Sequence, residues 1–184
     1  MRYREVVLER DCEAVAIPSG DRSTIPAGSR VVITQQLGDS FTIQAPEIGG
    51  LYRIAGDDAD ALGMPRPVPA TESDAAGAGG PVSEEALWAQ LRNVYDPEIP
   101  VNIVDLGLVY GLRVEPLEGG GSRVHLVMTL TAPGCGLADV IAADARRCVE
   151  RVPGVKEAYV DIVFDPPWNY AMMSEVAKLE LGFD

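Results

Sequence analysis

The chain has 184 residues, 47% of them hydrophobic, and a formal net charge of −13, enough for one ordinary domain or two small ones with modest cores. With no basic cluster, that charge repels a phosphate backbone and argues against nucleic acid or an anionic membrane as the main partner. No apolar run approaches the roughly 20 residues that span a bilayer, and Met1-Arg2-Tyr3-Arg4-Glu5 leads into no signal-peptide core, so the sequence reads as cytoplasmic.

Composition changes at residues 65–82, a Pro-, Ala- and Gly-rich stretch without large aliphatic periodicity that reads as a linker between residues 1–64 and 83–184. The first part carries a net −4 and the second −8. In the first part, short runs rich in Val, Ile and Thr (Val6 to Leu8, Ala14 to Ile17, Arg30 to Thr34, Ser40 to Ile43) alternate with turn clusters. This pattern predicts a small all-β domain, a barrel or a sandwich. Cys12 lies between Asp11 and Glu13, whose charges hold it as a thiol, and it reads as structural.

The second part opens with Ser83 as a helix cap, Glu84 and Glu85 at the positive end of the dipole, and Leu87, Leu91 and Val94 at helical spacing. Pro97 forces Asp96 out of the helical region, and the segment from Asp96 to Leu106, with two prolines, reads as a stiff loop presenting Asp96 and Glu98. Strand patterns follow from Leu108 to Glu115 and from Arg123 to Thr131, joined by the Glu118-Gly119-Gly120-Gly121-Ser122 turn. Parity on the second strand puts Val124, Leu126, Met128 and Leu130 on the core face and Arg123, His125, Val127, Thr129 and Thr131 on the other. His125, the single histidine, is roughly 20 Å from Thr131 at about 3.3 Å per residue, a poor base for a thiol beyond it.

Cys135 follows in Thr129-Leu130-Thr131-Ala132-Pro133-Gly134-Cys135-Gly136, just before a helical pattern. Free amides and the positive dipole end at a helix start favour a thiolate, ready to react or to bind a soft metal; the bland reading is a small loop residue. Leu137, Ile141, Ala145, Cys148 and Val152 then repeat at helical spacing, which makes Cys148 an inert core thiol. Val160, Ile162 and Phe164 alternate as a third strand, reached by a crossover that lays it parallel to the second. Asp165-Pro166-Pro167-Trp168 makes a rigid exit before a short helix containing Met172, Met173, Val176 and Leu179. The three cysteines include no Cys-x-x-Cys pair, so neither a disulfide framework nor a self-contained structural zinc site is supported.

Four ordered motifs, Asp96-Pro97-Glu98-Ile99-Pro100, Asn102 to Leu108, Thr129-Leu130-Thr131 to Cys135, and Asp165-Pro166-Pro167-Trp168, resemble the metal-sulfur cluster biosynthesis domain of PaaD-like proteins and eukaryotic cytosolic iron-sulfur targeting factors. The β-rich part before it, with Arg10-Asp11-Cys12-Glu13-Ala14-Val15 and Ile33-Thr34-Gln35, looks like the extension of the bacterial SufT family. The resemblance implies an α+β fold: a small all-β N-terminal domain plus a C-terminal two-layer domain of order αββαβα with a three-stranded mixed sheet. It implies a maturation factor rather than an enzyme, working with the iron-sulfur assembly machinery and apoprotein clients. Cys135 would be the functional cysteine and, with Glu98, the metal ligand; Asp96, Asp105, Thr129 and Thr131 would support it.

One cysteine cannot supply the four thiolates usual for a permanent cluster. A transient iron-sulfur cluster or iron, or a cluster shared in a homo-oligomer such as a dimer, is the expectation. Two other readings stay open: a thiol enzyme with Cys135 as nucleophile and Asp96 or Glu98 as base, and an adaptor that docks clients through Trp168 and the acidic surface without touching metal. The linker reading predicts that limited proteolysis cuts within residues 65–82 and leaves two folded fragments; a span that resists cleavage contradicts it.

Overall fold

The computed structural model describes residues 4–66, 82–96, 99–132 and 137–182. The chain divides into two compact units, Met1–Pro69 and Ala70–Asp184. Most of the expected linker, with Pro97, Glu98 and the Pro133 to Gly136 segment carrying Cys135, lies outside the described residues.

The first unit is one antiparallel sheet of six strands: β1 (Arg4–Val7), β2 (Cys12–Ile17), β3 (Arg22–Ile25), β4 (Arg30–Leu37), β5 (Ser40–Gln44) and β6 (Leu51–Ala55), in the order β1-β4-β5-β6-β2-β3. The all-β expectation holds, with two more strands than the sequence patterns show. β3 has one large apolar residue, Ile25, and β6 buries Arg53 beside Ile54, so neither displays clean alternation. Ala14, Ile25, Val31, Phe41, Ile43 and Ile54, from five of the strands, enter one core with Ala59, Ala61 and Leu62 of a 3₁₀ segment, Gly56–Leu62. The single sheet therefore curls around that core instead of facing a second sheet.

Arg10 fastens this 3₁₀ segment, donating to Asp58 at 2.8 Å and to the two carboxylate oxygens of Asp60 at 2.6 and 2.7 Å. These bonds hold the Asp60 carboxyl below its usual range. Asp11 accepts from the Ala27 amide at 2.8 Å, and Cys12 is buried in the core. The Arg10-Asp11-Cys12 run is thus used up in holding its own unit together.

In the second unit α1 (Glu84–Leu91) starts where Ser83 accepts from the Ala86 amide at 3.3 Å. Strands β7 (Val109–Pro116), β8 (Ser122–Met128) and β9 (Val155–Ile162) form a sheet with β8 in the middle, antiparallel to β7 and parallel to β9. The crossover is α2 (Ala138–Glu150). Val124, Leu126 and Met128 of β8 pack into one core with Leu87 and Leu91 of α1 and Ile141, Ala145, Cys148 and Val149 of α2. This is the expected two-layer α+β arrangement with a three-stranded mixed sheet. Each fully buried leucine in that core contributes about 1.5–3 kcal/mol.

Two local expectations fail. β8 ends at Met128 rather than Thr131, and the next amide, of Thr129, donates to the Leu108 carbonyl at 2.8 Å. The alternation breaks there, so Thr129 and Leu130 are both buried and Thr129 does not share the face of His125. At the other end, the final helix is split into a 3₁₀ turn, Tyr170–Met172, and α3 (Glu175–Glu180), because Met173 is extended at ψ 146°. Met173 and Ala177 enter the core, whereas Val176 and Leu179 do not.

Gly107 sits at φ +71°, and a β-carbon there would lie 2.1 Å from the Met172 carbonyl oxygen. Both the backbone conformation and the close approach exclude a side chain. Gly107→Ala is expected to destabilise the second unit by about 1–3 kcal/mol, read as a lower urea midpoint, with the first unit unaffected.

Candidate functional site

Of the candidate residues, the described ones, Asp96, Asp105, Thr129 and Thr131, lie where the loop after α1 meets the end of β8. Asp96 is buried; its carboxylate accepts from the Ile99 amide at 3.2 Å, and its own amide donates to the Val101 carbonyl at 3.4 Å. Asn102 is the organiser that the sequence patterns did not single out. Its side-chain oxygen accepts from the amides of Val104 and Asp105 at 3.1 and 2.9 Å, and its side-chain nitrogen donates to the Asp105 carboxylate at 2.6 Å. An Asn three residues before an Asp, between a proline-bounded segment and a strand, was the available signal.

The turn ends at Leu108, whose carbonyl accepts from Thr129. Asp96, Asp105 and Thr129 are therefore joined through one backbone network rather than scattered. Thr131 follows, half-buried. Thr129 is fully buried, and its hydroxyl has no hydrogen-bond partner among the described residues. A buried hydroxyl without a partner costs about 1–3 kcal/mol, so its retention asks for a reason.

Four residues separate Ala132 from Leu137, the N-cap of α2. No side chain caps this helix start among the described residues, which leaves the positive dipole end for what precedes it. Cys135 falls two residues before that cap in the sequence. Cys135 and Glu98, the two expected metal ligands, lie outside the described residues. Among those that are described, no group of three or more His, Cys, Asp or Glu side chains is placed to hold a metal ion.

Trp168 has a structural task. Its indole nitrogen donates to the Leu106 carbonyl at 2.8 Å, and Tyr110 donates to the Pro166 carbonyl at 2.8 Å. The Asp-Pro-Pro-Trp corner thereby clamps the Asn102–Leu106 turn from behind. His125 stacks on Tyr159 with centroids 5.4 Å apart, and its Nε2 is 3.8 Å from Glu115. It lines an open groove of about 340 Å³ with Gly111, Arg113, Glu115 and Val127 on the sheet face opposite the core.

A family profile described as iron-sulfur cluster assembly protein matches residues 84–162. An Fe-S protein maturation auxiliary factor of Porphyromonas gingivalis is 54% identical over 101 residues, covering 55% of this chain and 92% of the relative. The chain belongs to the iron-sulfur cluster assembly protein family. A Bacillus subtilis family member, also an Fe-S protein maturation auxiliary factor, is 41% identical over 99 residues, 54% of this chain and 93% of its own length. The factor SufT of Staphylococcus aureus is 39% identical over 89 residues, 48% of this chain and 97% of its own. These family members are matched over nearly their whole length by about half of this chain, so they leave no room for a counterpart of the whole N-terminal sheet. The resemblance read from the four motifs is borne out for the C-terminal unit.

Cys12 and Cys148 are each 1% exposed. Burial, more than the flanking carboxylates, pushes the Cys12 thiol from its usual value near 9 up to about 11. Both thiols are expected to resist alkylation in the native protein at neutral pH while Cys135 is modified, as mass-spectrometric mapping would show. Labelling of either buried thiol first contradicts this. Above pH 9 the unfolded chain loses the Cys12 proton that the folded unit retains, so this group's contribution makes the first unit less stable as pH rises.

Proposed function

We propose that this chain assists the assembly of iron-sulfur clusters and their delivery to apoproteins, with Cys135 as the thiolate donor and Glu98 as the accompanying carboxylate. Family membership supports the general role. The buried Thr129 hydroxyl, without a partner among the described residues, is the observation that supports the site reading. It stands at the end of the strand leading to Cys135, where a hydroxyl donor can stabilise a thiolate or sulfide that arrives with the cargo. Asp96 and Asp105 shape the loop through backbone and Asn102 contacts, so they act as supports, and Glu98 is left as the ligand candidate.

The cargo is a transient cluster or iron, since one thiolate and one carboxylate make an incomplete ligand set that a second chain or a client completes. The partners are the assembly machinery, apoprotein clients and a second copy of the chain, in a cytoplasmic setting. No group transfer catalysed by the chain itself is needed for this role.

In a deletion strain, Cys135→Ser and Glu98→Ala are expected to impair maturation of an iron-sulfur dehydratase while circular dichroism stays unchanged, and His125→Ala is expected to do little. Thr129→Val gives the sharpest contrast. It removes an unsatisfied hydroxyl, so stability should hold or rise by up to about 1 kcal/mol, while maturation falls by about tenfold, the size of effect typical of residues that orient metal ligands. Full maturation with Cys135→Ser refutes the thiolate role; metal content and the visible spectrum after anaerobic purification provide the independent readout.

A further inference from the structure

α3 is apolar on two sides. Met173, just before it, and Ala177 within it are 4% and 0% exposed, while Val176 and Leu179 are 60% and 69% exposed. Residues three apart share a helix face, so Val176 and Leu179 make one short stripe. α3 reads Glu-Val-Ala-Lys-Leu-Glu, so Ala177 serves the core while the Val176–Leu179 stripe lies on a separate, open side, and among the described residues nothing brings this stripe below 60% exposure.

The stripe is flanked by Glu175 and Glu180, both exposed. Lys178, the one cation in α3, is engaged by Glu175 at 2.9 Å. With −8 on the chain from Ser83 onward, a second copy would set like charge against like, whereas a basic partner would be attracted. The helix also hangs on the candidate site. The Ser174 amide donates to the Asp105 carbonyl at 2.8 Å, and the Ser174 hydroxyl caps α3 by accepting from the Ala177 amide at 3.1 Å.

We infer that the Val176–Leu179 stripe docks a segment of an apoprotein client that presents an apolar surface rimmed by Lys or Arg, and so holds the client beside the Asn102–Asp105 turn. The client's identity rests on the role proposed above; the surface does not. Recognition is by apolar contact with the two side chains, with Glu175 and Glu180 setting the charge preference.

The test uses the full chain and a fluorescent synthetic amphipathic peptide of Leu and Lys, with its Leu and Glu counterpart as control. The Leu/Lys peptide is expected to bind, the Leu/Glu peptide not to bind, and the Val176→Ser, Leu179→Ser double variant to bind about tenfold more weakly. Leu179→Ala, a milder change in a residue that favours helix, should weaken binding in the same direction, and this guards against loss of fold in the double variant. Cys135→Ser should bind like the parent. A chain that binds normally while its Cys135→Ser variant still matures clients refutes the thiolate role and upholds the docking surface. Equal affinity of parent and double variant overturns the proposal, because acidity alone then explains binding. A parent dimer that the double variant turns into monomer, seen by sedimentation, also overturns it, because a second copy then covers the stripe.

Discussion

The arrangement of the second unit depends on the turn from Asn102 to Gly107, in which almost every polar backbone group is committed. Asn102 closes it from inside by binding two amides and the Asp105 carboxylate. The chain's last segment closes it from outside: Trp168 binds the Leu106 carbonyl, Ser174 the Asp105 carbonyl, and Met172 packs its carbonyl so near Gly107 that no side chain fits. Because Leu108 then anchors Thr129, the end of β8 inherits its position from this turn. The turn is held by contacts between segments more than sixty residues apart, and this explains how it stays fixed without regular structure.

That division of labour separates residues that resemble one another in sequence. Asp96 and Asp105 are both carboxylates expected to support the site, yet each accepts hydrogen bonds that shape the loop. Thr129 and Thr131 are both hydroxyl residues, but the first is wholly buried and the second half-exposed. In the N-terminal unit, Arg10, Asp11 and Cys12 are adjacent in the sequence yet serve as a clamp, a turn acceptor and a core residue.

Legibility in the sequence followed the range of the forces involved. The Ser83 cap, the helix of Leu87 and Leu91, the parallel crossover and the inward face of β8 through Met128 are local or periodic, and the sequence shows them. β3 and β6 were hidden because their alternation is weak or broken by Arg53, a buried arginine whose Nη2 donates to Ser40 at 3.2 Å. The short final helix expected to contain Met172, Met173, Val176 and Leu179 is interrupted because Met173 is extended, so the helical period does not run from Met172 to Leu179. Trp168 suggested a docking residue because its hydrogen-bond partner is 62 positions away and invisible to any local pattern. The motifs around Asp96 and Thr129 drew attention to this loop, but which of their side chains support it required the hydrogen bonds themselves.

The burial of Cys12 and Cys148 within separate cores has a consequence for the direction of cargo movement. A metal centre is bound more firmly where more thiolates surround it, and two of this chain's three cysteine sulfurs are withdrawn from competition by folding. Under the proposed role, a client apoprotein with several free cysteines offers more thiolates than this chain, which favours passage of the cargo toward the client. Folding itself, by hiding sulfur, would make the chain a donor.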